Sequence, residues 1–293
     1  MKYLLFNLGK NPDYFKYCIN SILSTDKDAD IYLCTDQNIN SNEINVINFN
    51  DFETLVNKKN EINELFKNTS FGKSPLWSYS ILRIFALNEI AKKNNIDSFI
   101  HFDNDVLIYK SWEELKNKGM FVENKINITP NDNNTLVFGY SYFSSIKTIE
   151  RLVDGFNEIL RNYDFNSNIH ARGGHLNEMR ILRICQYNDK NLFNELPTLP
   201  YFDKKIIFDP SSYGQYLNGT HLKRGNHFLR RRFISTQHIV GREIKSKRIK
   251  VKFENNEAKV FFDKNLYQLA NLHIHSKNLK KYLPKNYKNY INL

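Results

Sequence analysis

Two aspartates lie one residue apart in the stretch SFIHFDNDVLIYK, residues 98–110. Asp103 and Asp105 interrupt apolar sequence typical of a buried strand, where a carboxylate is costly without a compensating charge. If the strand continues through them, both side chains point to one face and repel each other. A divalent cation such as Mg²⁺ or Mn²⁺ relieves that repulsion and leaves positions for phosphate oxygens. The pattern predicts a metal site; the open alternative is a loop with two solvated aspartates, because D-x-D also arises by chance.

Further candidate ligands lie near the C-terminus, in LANLHIHSKNLKKYL, residues 269–283. In an extended strand His273 and His275 share one face, and Lys277 continues it. A neutral imidazole can complete the shell of Mn²⁺, and a lysine can bind a phosphate. Structural, hydrogen-bonded roles are expected for four further histidines: His101, His170, His221 and His227.

A candidate catalytic acid lies in ARGGHLNEMRIL, residues 171–182. The glycines at 173–174 allow close approach of a sugar to the backbone, and Glu178 follows in the first turns of a predicted helix. Glu178 is a candidate for binding acceptor hydroxyls or for acting as a general base. The alternative is an ordinary acid at a helix N-terminus.

A second candidate lies in IIFDPSSYGQYLNGTH, residues 206–221. Asp209, Tyr213 and Gln215 are residue types that recognise hydroxyl groups, and Asp209 is the candidate catalytic residue among them. A turn nucleated by the Asp-Pro pair explains the same sequence equally well.

The elements that must position these residues alternate between strand-like and helix-like segments in the first half of the chain. Strands are predicted at 2–9, 30–36 and 97–103, and helices at 12–25, 52–67 and 75–95. Such alternation favours an α/β fold with a parallel sheet and helices on both faces. Ligands of these sheets bind beyond the carboxyl ends of the strands. The polar groups at those ends are Asn7 with Leu8, Asp36, and the Asp103/Asp105 pair.

The second half is less regular. Helices are predicted at 149–163 and 173–188, a hairpin at 248–262 and a last strand at 269–277. No linker-like composition separates the two halves, so we expect one domain over 1–293. Within it, residues 1–110 form a nucleotide-binding half, and residues 111–293 form an acceptor-binding half that ends in the metal and diphosphate motif.

Composition and charge restrict the function classes. No apolar run is long enough to span a membrane, and the N-terminus is too polar for a signal peptide. The cysteines at 18, 34 and 185 are few and unpatterned, which favours a reducing compartment and argues against a cysteine metal site. We therefore expect a cytosolic protein.

The net charge of +11 is concentrated in the second half: residues 1–150 have a net charge of −3 and residues 151–293 of +14. Two basic runs, HFLRRRF at 227–233 and GREIKSKRIKVK at 241–252, contribute much of this excess. For any one residue a solvated face is the simpler interpretation. For the cluster we expect attraction to an anionic acceptor or a peripheral position on an anionic membrane.

Together these residues resemble a GT-A-fold glycosyltransferase, the class that contains a D-x-D motif and uses nucleotide-sugar donors. In the glycogenin-like and capsular-sugar-polymerising relatives, a strand ending in D-x-D and a late His with a nearby Lys bind metal and diphosphate. The matching stretches here are FDNDV at 102–106 and LHIHSK at 272–277, and the helix at 76–90 places Arg83 where related enzymes have an arginine near the nucleotide. The late motif lacks the Gly between His and Lys and the trailing Pro-Trp of the glycogenin-type pattern.

The resemblance implies a GT-A-type, Rossmann-like α/β fold with a mixed, mainly parallel sheet and helices on both faces. It implies Mn²⁺ or Mg²⁺, a nucleotide-sugar donor that we expect to be a UDP-sugar, and a glycan, lipid-linked or protein acceptor. The implied roles are a metal ligand for Asp105, metal or ribose for Asp103, diphosphate or base for Lys277 and Arg83, and the nucleotide site for Asn7, Leu8 and Asp36. For the imidazole ligand we prefer His275, which lies beside Lys277, and His273 stays open.

Two other function classes compete with this interpretation. A nucleic-acid-binding protein would use the basic second half, but no nucleic-acid motif accompanies it and the first half is acidic. A nucleotidyltransferase would use similar acids on phosphate, but it should have a Gly-rich or paired-carboxylate signature that is absent from this sequence. We therefore expect no specific nucleic-acid partner.

Overall fold

The computed structural model of the chain describes residues 1–171, 175–200, 205–218 and 238–293. The glycines at 173–174, His221, His227 and the basic run at 227–233 lie outside the described residues. The strands are β1 Lys2–Asn7, β2 Asp30–Thr35, β3 Asn45–Asn48, β4 Phe99–His101, β5 Val106–Ile108, β6 Ile126–Asp132, β7 Thr135–Phe143, β8 Phe193–Glu195, β9 Ile206–Ile207, β10 Lys250–Glu254, β11 Glu257–Phe262, β12 Asn265–Leu269 and β13 Asn271–His273.

Helices connect most of these strands. The α-helices are α1 Phe15–Thr25, α2 Glu53–Phe66, α3 Pro75–Lys93, α4 Trp112–Asn117, α5 Ile146–Arg161, α6 Tyr163–Ala171, α7 Glu178–Asn188, α8 Tyr213–Asn218 and α9 Ile239–Lys245. Short 3-10 helices cover Phe49–Asp51, Ser70–Lys73 and Leu279–Tyr282.

The central sheet has seven strands in the order β3-β2-β1-β4-β7-β6-β8. The pairs β3–β2, β2–β1, β1–β4 and β6–β8 are parallel, whereas β7 runs antiparallel to both β4 and β6. The sheet is therefore mixed and mainly parallel, as predicted.

Helices cover both faces of this sheet. Along β1 the side chains alternate, so Tyr3 and Leu5 pack into one buried cluster and Leu4 and Phe6 into another. The first cluster includes the apolar face of α1, and the second includes the apolar faces of α2, α3, α5 and α7. This arrangement confirms the prediction of helices on both faces.

The end of α3 that faces the sheet edge has clear sequence signals. Ser74 is the N-cap and accepts a hydrogen bond from the backbone N–H of Leu76 at 3.3 Å, and Pro75 occupies the first turn. Arg83 is then two turns into the helix and is buried. The predicted helix at 75–95 is confirmed.

Two strand predictions are too long. The predicted strand at 97–103 ends at His101, and a turn with a hydrogen bond from Val106 N–H to the Asp103 carbonyl (3.1 Å) holds the acidic pair. The predicted strand at 269–277 divides: β12 ends at Leu269 and β13 ends at His273. The predicted helix at 173–188 begins at Glu178 among the described residues.

The C-terminal segment returns to the acidic turn. β13 pairs antiparallel with β5, and the N–H of Ile274 donates to the Asp105 carbonyl at 2.9 Å. The predicted hairpin is confirmed as β10–β11, and with β12 and β9 it forms a second, four-stranded sheet. Residues far apart in sequence are thereby placed around one turn.

Candidate functional site

The acidic turn between β4 and β5 is held from several sides. The Asp103 N–H donates to the Phe138 carbonyl on β7 at 2.8 Å. Asn104, between the two acids, donates to the Phe6 carbonyl (3.0 Å) and to the Asn7 side chain (3.2 Å) at the end of β1. The turn therefore presents two carboxylates at the carboxyl edge of the sheet, although neither acid lies in a strand.

Two imidazoles from the C-terminal segment face these carboxylates. His273 Nε2 lies 3.0 Å from Asp105 Oδ1 and 3.5 Å from Asp103 Oδ2. The His275 ring packs edge-on against the His273 ring, with centroids 4.7 Å apart. One ligand atom each from Asp105, His273 and His275 lies within 4.8 Å of the others.

Lys277 completes this side of the site. Its Nζ donates to Asp105 Oδ2 and lies 5.3 Å from the centre of the Tyr14 ring, just before α1. The backbone of Lys277 has φ of 65°, in the left-handed region, so the chain turns sharply here instead of continuing as a strand. The lysine side chain keeps 34% of its surface exposed, whereas its partner Asp105 is buried.

Arg83 and Glu178 form the opposite side. Arg83 donates to Asp103 Oδ1 and, at 2.6 Å, to Glu178 Oε1. Glu178 begins α7, whose N-cap is Asn177, and it is buried at 5% exposure. A single guanidinium thus bridges the D-x-D motif and the acid predicted from the middle of the chain.

The charged groups of the site lower the pKa of the two aspartates and raise that of His273. Burial alone would raise the pKa of both aspartates, but Arg83 and His273 lower that of Asp103, and His273 and Lys277 hold that of Asp105 well below its usual range. Burial would lower the pKa of His273, but Asp105 raises it to about 9. Burial, followed by the repulsion of His273, lowers the pKa of His275 to about 3.

The donor set fits a divalent cation. His273 Nδ1 lies 2.9 Å from the Pro210 carbonyl, the bond that fixes the tautomer of a metal-binding histidine and directs Nε2 toward the ligand. His275 Nδ1 lies 3.1 Å from Gln215 Nε2, an amide nitrogen that donates. His275 Nε2 can bind a metal when the Gln215 amide is turned so that its oxygen accepts from Nδ1–H. Carboxylate oxygens with imidazole nitrogens are ligands that Mn²⁺ accepts.

The predicted nucleotide residues lie at the carboxyl ends of neighbouring strands. Asn7 ends β1 and donates to Asn11 Oδ1 at 2.7 Å, and Leu8 follows it, partly buried. Asp36 follows β2 and accepts the N–H of Gly9 at 2.8 Å. Because Asn104 also bonds Asn7, these residues adjoin the acidic turn.

Asp209 is fully buried, and its carboxylate accepts four backbone hydrogen bonds, including that of His273. Tyr213 donates its hydroxyl to the Thr198 carbonyl at 2.8 Å. These partners favour structural roles for Asp209 and Tyr213 over direct recognition of substrate hydroxyls. Gln215 contacts His275 and so belongs to the site.

No family model and no curated protein matches this chain. Among solved structures it is similar to mouse xyloside xylosyltransferase 1 in its apo form, at 12% identity and a TM-score of 0.45 over 67% of this chain and 86% of that one. It is similar to the PaToxG glycosyltransferase (11%, TM-score 0.39, 64% of this chain and 69% of that one). It is similar also to galactosyltransferase LgtC in complex with donor and acceptor sugar analogs (12%, 0.38, 62% and 69%).

Sequence reasoning missed the residues that hold the site together. Asn104 and Asn271 act through side-chain hydrogen bonds to distant main-chain groups. Pro210 acts through its carbonyl, which contacts the His273 ring, and Tyr14 through its ring beside Lys277. The D-x-D motif could have indicated Asn104, since a polar residue between two acids must also find a partner. Nothing in the local sequence marks Pro210 as a neighbour of His273, or shows that Asn271, two residues before His273 on β13, binds the main chain of Asp209.

A search of the described residues for a helix both long and apolar enough to cross a membrane finds none.

Proposed function

We propose that this protein is a metal-dependent glycosyltransferase that moves a sugar from a nucleotide-sugar donor, a UDP-sugar, to the hydroxyl group of an acceptor. The observation that supports it best is the convergence of Asp105, His273 and His275 within 4.8 Å, with Lys277 and Arg83 on either side. Carboxylates and imidazoles that lie between two cations, with Asp105 and His273 buried, suit a metal and a diphosphate together.

The metal would be held by Asp105, His273 and His275, with Asp103 as a further ligand or a ribose contact. Since His273 Nε2 faces both carboxylates and its Nδ1 is bound by a carbonyl, we now rank it above His275 as the first imidazole ligand. When bound, Mn²⁺ or Mg²⁺ would neutralise the charge that develops on the departing diphosphate.

The chain's own cations would hold the diphosphate. Lys277 lies beside Asp105 and Arg83 beside Asp103, so each already borders the place where the phosphates would lie. A fixed guanidinium suits a phosphate that must be oriented, and a mobile ammonium suits one that enters and leaves. Catalysis then consists of positioning and of stabilising the leaving group.

Asn7, Leu8 and Asp36 would line the nucleoside end of the donor. All three follow the carboxyl ends of adjacent parallel strands, the edge at which ligands of such sheets bind. Through Asn104 this edge is bonded to the acidic turn. The nucleoside and its phosphates would therefore lie along one continuous row of polar groups.

Glu178 remains our candidate for a proton acceptor at the acceptor hydroxyl. Burial raises its pKa to about 7, although Arg83 opposes the shift, and a general base works best near the ambient pH. The nucleotide-binding and acceptor-binding halves, the cytosolic location and a peripheral contact with an anionic membrane stay predictions.

The test is binding of UDP by calorimetry with and without Mn²⁺, followed by hydrolysis or transfer from a panel of UDP-sugars. We expect UDP to bind at least tenfold more tightly with Mn²⁺ and one UDP-sugar to be turned over. Equal affinity with and without Mn²⁺, and with other nucleoside diphosphates, would reject the proposal.

A further inference from the structure

Asp209 occupies an unusual position for a carboxylate, since the four hydrogen bonds of its side chain are all with main-chain groups. Its Oδ1 accepts the N–H groups of Ser212 (2.7 Å) and Tyr213 (2.9 Å). Its Oδ2 accepts those of Gly214 (2.8 Å) and His273 (2.9 Å). The side chain has no exposed surface, so its partners are protein atoms and not solvent.

These bonds connect Asp209 to both imidazoles of the candidate metal site. The bond to the His273 N–H fixes the main chain of that histidine, and the next residue, Pro210, accepts from its ring Nδ1 at 2.9 Å. The bonds to residues 212–214 cap the start of α8. One turn into α8, Gln215 contacts His275 Nδ1 at 3.1 Å.

Asn271 is hydrogen-bonded to the main chain of the loop at 209–212, which begins with Asp209. Its Oδ1 accepts the Asp209 N–H (3.0 Å), and its Nδ2 donates to the carbonyls of Asp209 (2.9 Å) and of Gly139 on β7 (2.8 Å). Gly214 packs directly against the main chain of His273, because a Cβ at Gly214 would lie 2.1 Å from the His273 carbonyl oxygen. The loop, β7 and β13 are therefore held in one fixed arrangement.

We propose that Asp209 is the positioning residue of the metal site, which sets the main chain of His273 directly and the ring of His275 through α8 and Gln215. This inference rests on the proposed function. A buried carboxylate with four N–H donors satisfies all its acceptor positions, and an amide in its place would turn an NH₂ group toward two of those donors. Asp209 would then act on metal affinity without touching metal or substrate.

The experiment compares Mn²⁺ binding, followed by the EPR signal of the free ion, in the full chain and in Asp209→Asn. Because partners of metal ligands typically affect metal affinity about 10–100-fold, we expect the Kd for Mn²⁺ to rise by about that factor. Asp26→Asn is the matched control: Asp26 is also buried and accepts a hydrogen bond, from the Tyr3 hydroxyl at 2.8 Å, but at the far end of α1. Asp26→Asn should lose stability and keep its Kd.

Gln215→Ala is the second variant, which keeps the inference testable if Asp209→Asn does not fold. It removes only the contact to His275, so it should raise the Kd less than Asp209→Asn does. If Asp209→Asn or Gln215→Ala folds and binds Mn²⁺ with the wild-type Kd, Asp209 is not a positioning residue and the glycosyltransferase proposal stands. If the wild-type chain binds no Mn²⁺, the metal site is rejected, and this inference with it.

Discussion

Each acid of the D-x-D motif has its own cation. Asp103 is paired with Arg83, and Asp105 with Lys277 and His273. The acids are therefore stable in a buried turn because protein charges compensate them, and they remain arranged around a common space. The two carboxylates would repel each other alone, but in the fold the positive charges of Arg83, His273 and Lys277 compensate them.

The first prediction concerns Asp105. Asp105→Asn removes the carboxylate that adjoins both imidazoles and Lys277, so UDP binding that depends on Mn²⁺ should be lost, a decrease of at least about 100-fold. Calorimetry with UDP and Mn²⁺ measures it, with circular dichroism as the check on folding. Asp154→Asn, an exposed acid on α5, should behave as wild type. Retention of Mn²⁺-linked binding in Asp105→Asn would remove it from the ligand set.

The second prediction concerns Lys277, which is proposed to bind the diphosphate. Lys277→Ala should weaken UDP binding by about tenfold and leave uridine binding nearly unchanged, since uridine lacks the phosphates. The matched control is Lys280→Ala, an exposed lysine three residues away. Equal losses for UDP and uridine, measured by calorimetry, would make Lys277 a structural residue.

The third prediction follows from the pKa of Glu178. Burial raises that pKa from 4.5 to about 7, so the folded protein binds this proton more tightly than the unfolded chain does. The resulting stabilisation is complete below about pH 4.5 and is lost as the pH rises through about 7. The free energy of unfolding of wild type relative to Glu178→Gln should therefore fall between pH 5 and pH 8 in urea titrations. The exposed Glu64→Gln should leave the pH profile unchanged, and parallel profiles for wild type and Glu178→Gln would contradict the assignment.

Sequence analysis identified the charged and metal-binding residues of the site better than the residues that hold them in place. Asp103 and Asp105 were visible because charged residues interrupt apolar sequence, and His273, His275 and Lys277 because they recur at intervals of two. The supports Asn104 and Asn271 are ordinary polar residues until the fold brings distant main-chain groups to them. The sequence analysis preferred His275 over His273 as the metal ligand because the contact between the Pro210 carbonyl and the His273 ring joins residues that are distant in sequence.

At the scale of elements, long periodic segments were predicted to within a few residues, whereas short strands were predicted with the wrong ends or missed. Helices such as α3 contain enough turns and capping residues to be recognised, whereas β4 and β13 have three residues each. β3 was missed because its side chains are exposed or half-buried and its sequence, NVIN, has no apolar pattern. The pairing of β13 with β5 joins residues more than 160 positions apart, and local sequence has no information about such a contact.

The fourth prediction concerns how the C-terminal segment is fastened to α1. Asn20 is fully buried, accepts the N–H groups of Tyr290 (2.8 Å) and Ile291 (3.0 Å), and donates to the Ile291 carbonyl at 3.0 Å. Asn20→Ala leaves these backbone groups without their partner, so we expect the free energy of unfolding to fall by about 1–3 kcal/mol. Urea denaturation measures the change. Asn57→Ala, at an exposed position of α2, should change it by less than about 0.5 kcal/mol.

Asn20→Ala also tests whether attachment of the C-terminal segment to α1 affects ligand binding. Asn20 makes no hydrogen bond to a proposed ligand of metal or diphosphate among the contacts described for it, so Asn20→Ala should keep the wild-type affinity for UDP with Mn²⁺ below its unfolding temperature. A large loss of UDP affinity in a folded Asn20→Ala protein would mean that the C-terminal anchor also shapes the site.

At the scale of the whole molecule, the excess positive charge lies in the half of the chain that also supplies Glu178, His273 and Lys277 to the site. The acidic first half contains the D-x-D turn, and the second half has a net charge of +14. Within the described residues, the basic segment 241–252 covers the end of α9 and the start of β10, with exposed lysines at 245, 247, 250 and 252. These lysines lie on a surface and can attract any polyanion through long-range electrostatics.

The last prediction uses this charge to separate the enzyme from a nucleic-acid-binding protein. Binding through counterion release weakens steeply with salt, so a basic surface alone should retain duplex or single-stranded DNA weakly and without sequence preference, and only at low salt. We expect this retention to vanish near physiological ionic strength, whereas UDP binding with Mn²⁺ should persist because the metal ligands Asp105 and His273 are buried. Fluorescence anisotropy with random and mixed oligonucleotides over a salt series measures DNA binding. Calorimetry in the same buffers measures UDP binding. Replacing the lysines at 245, 247, 250 and 252 by glutamine should weaken the DNA signal and leave UDP binding intact. A preferred sequence still bound at physiological salt, together with salt-sensitive UDP binding, would instead make nucleic acid the natural ligand and the acidic turn a structural feature.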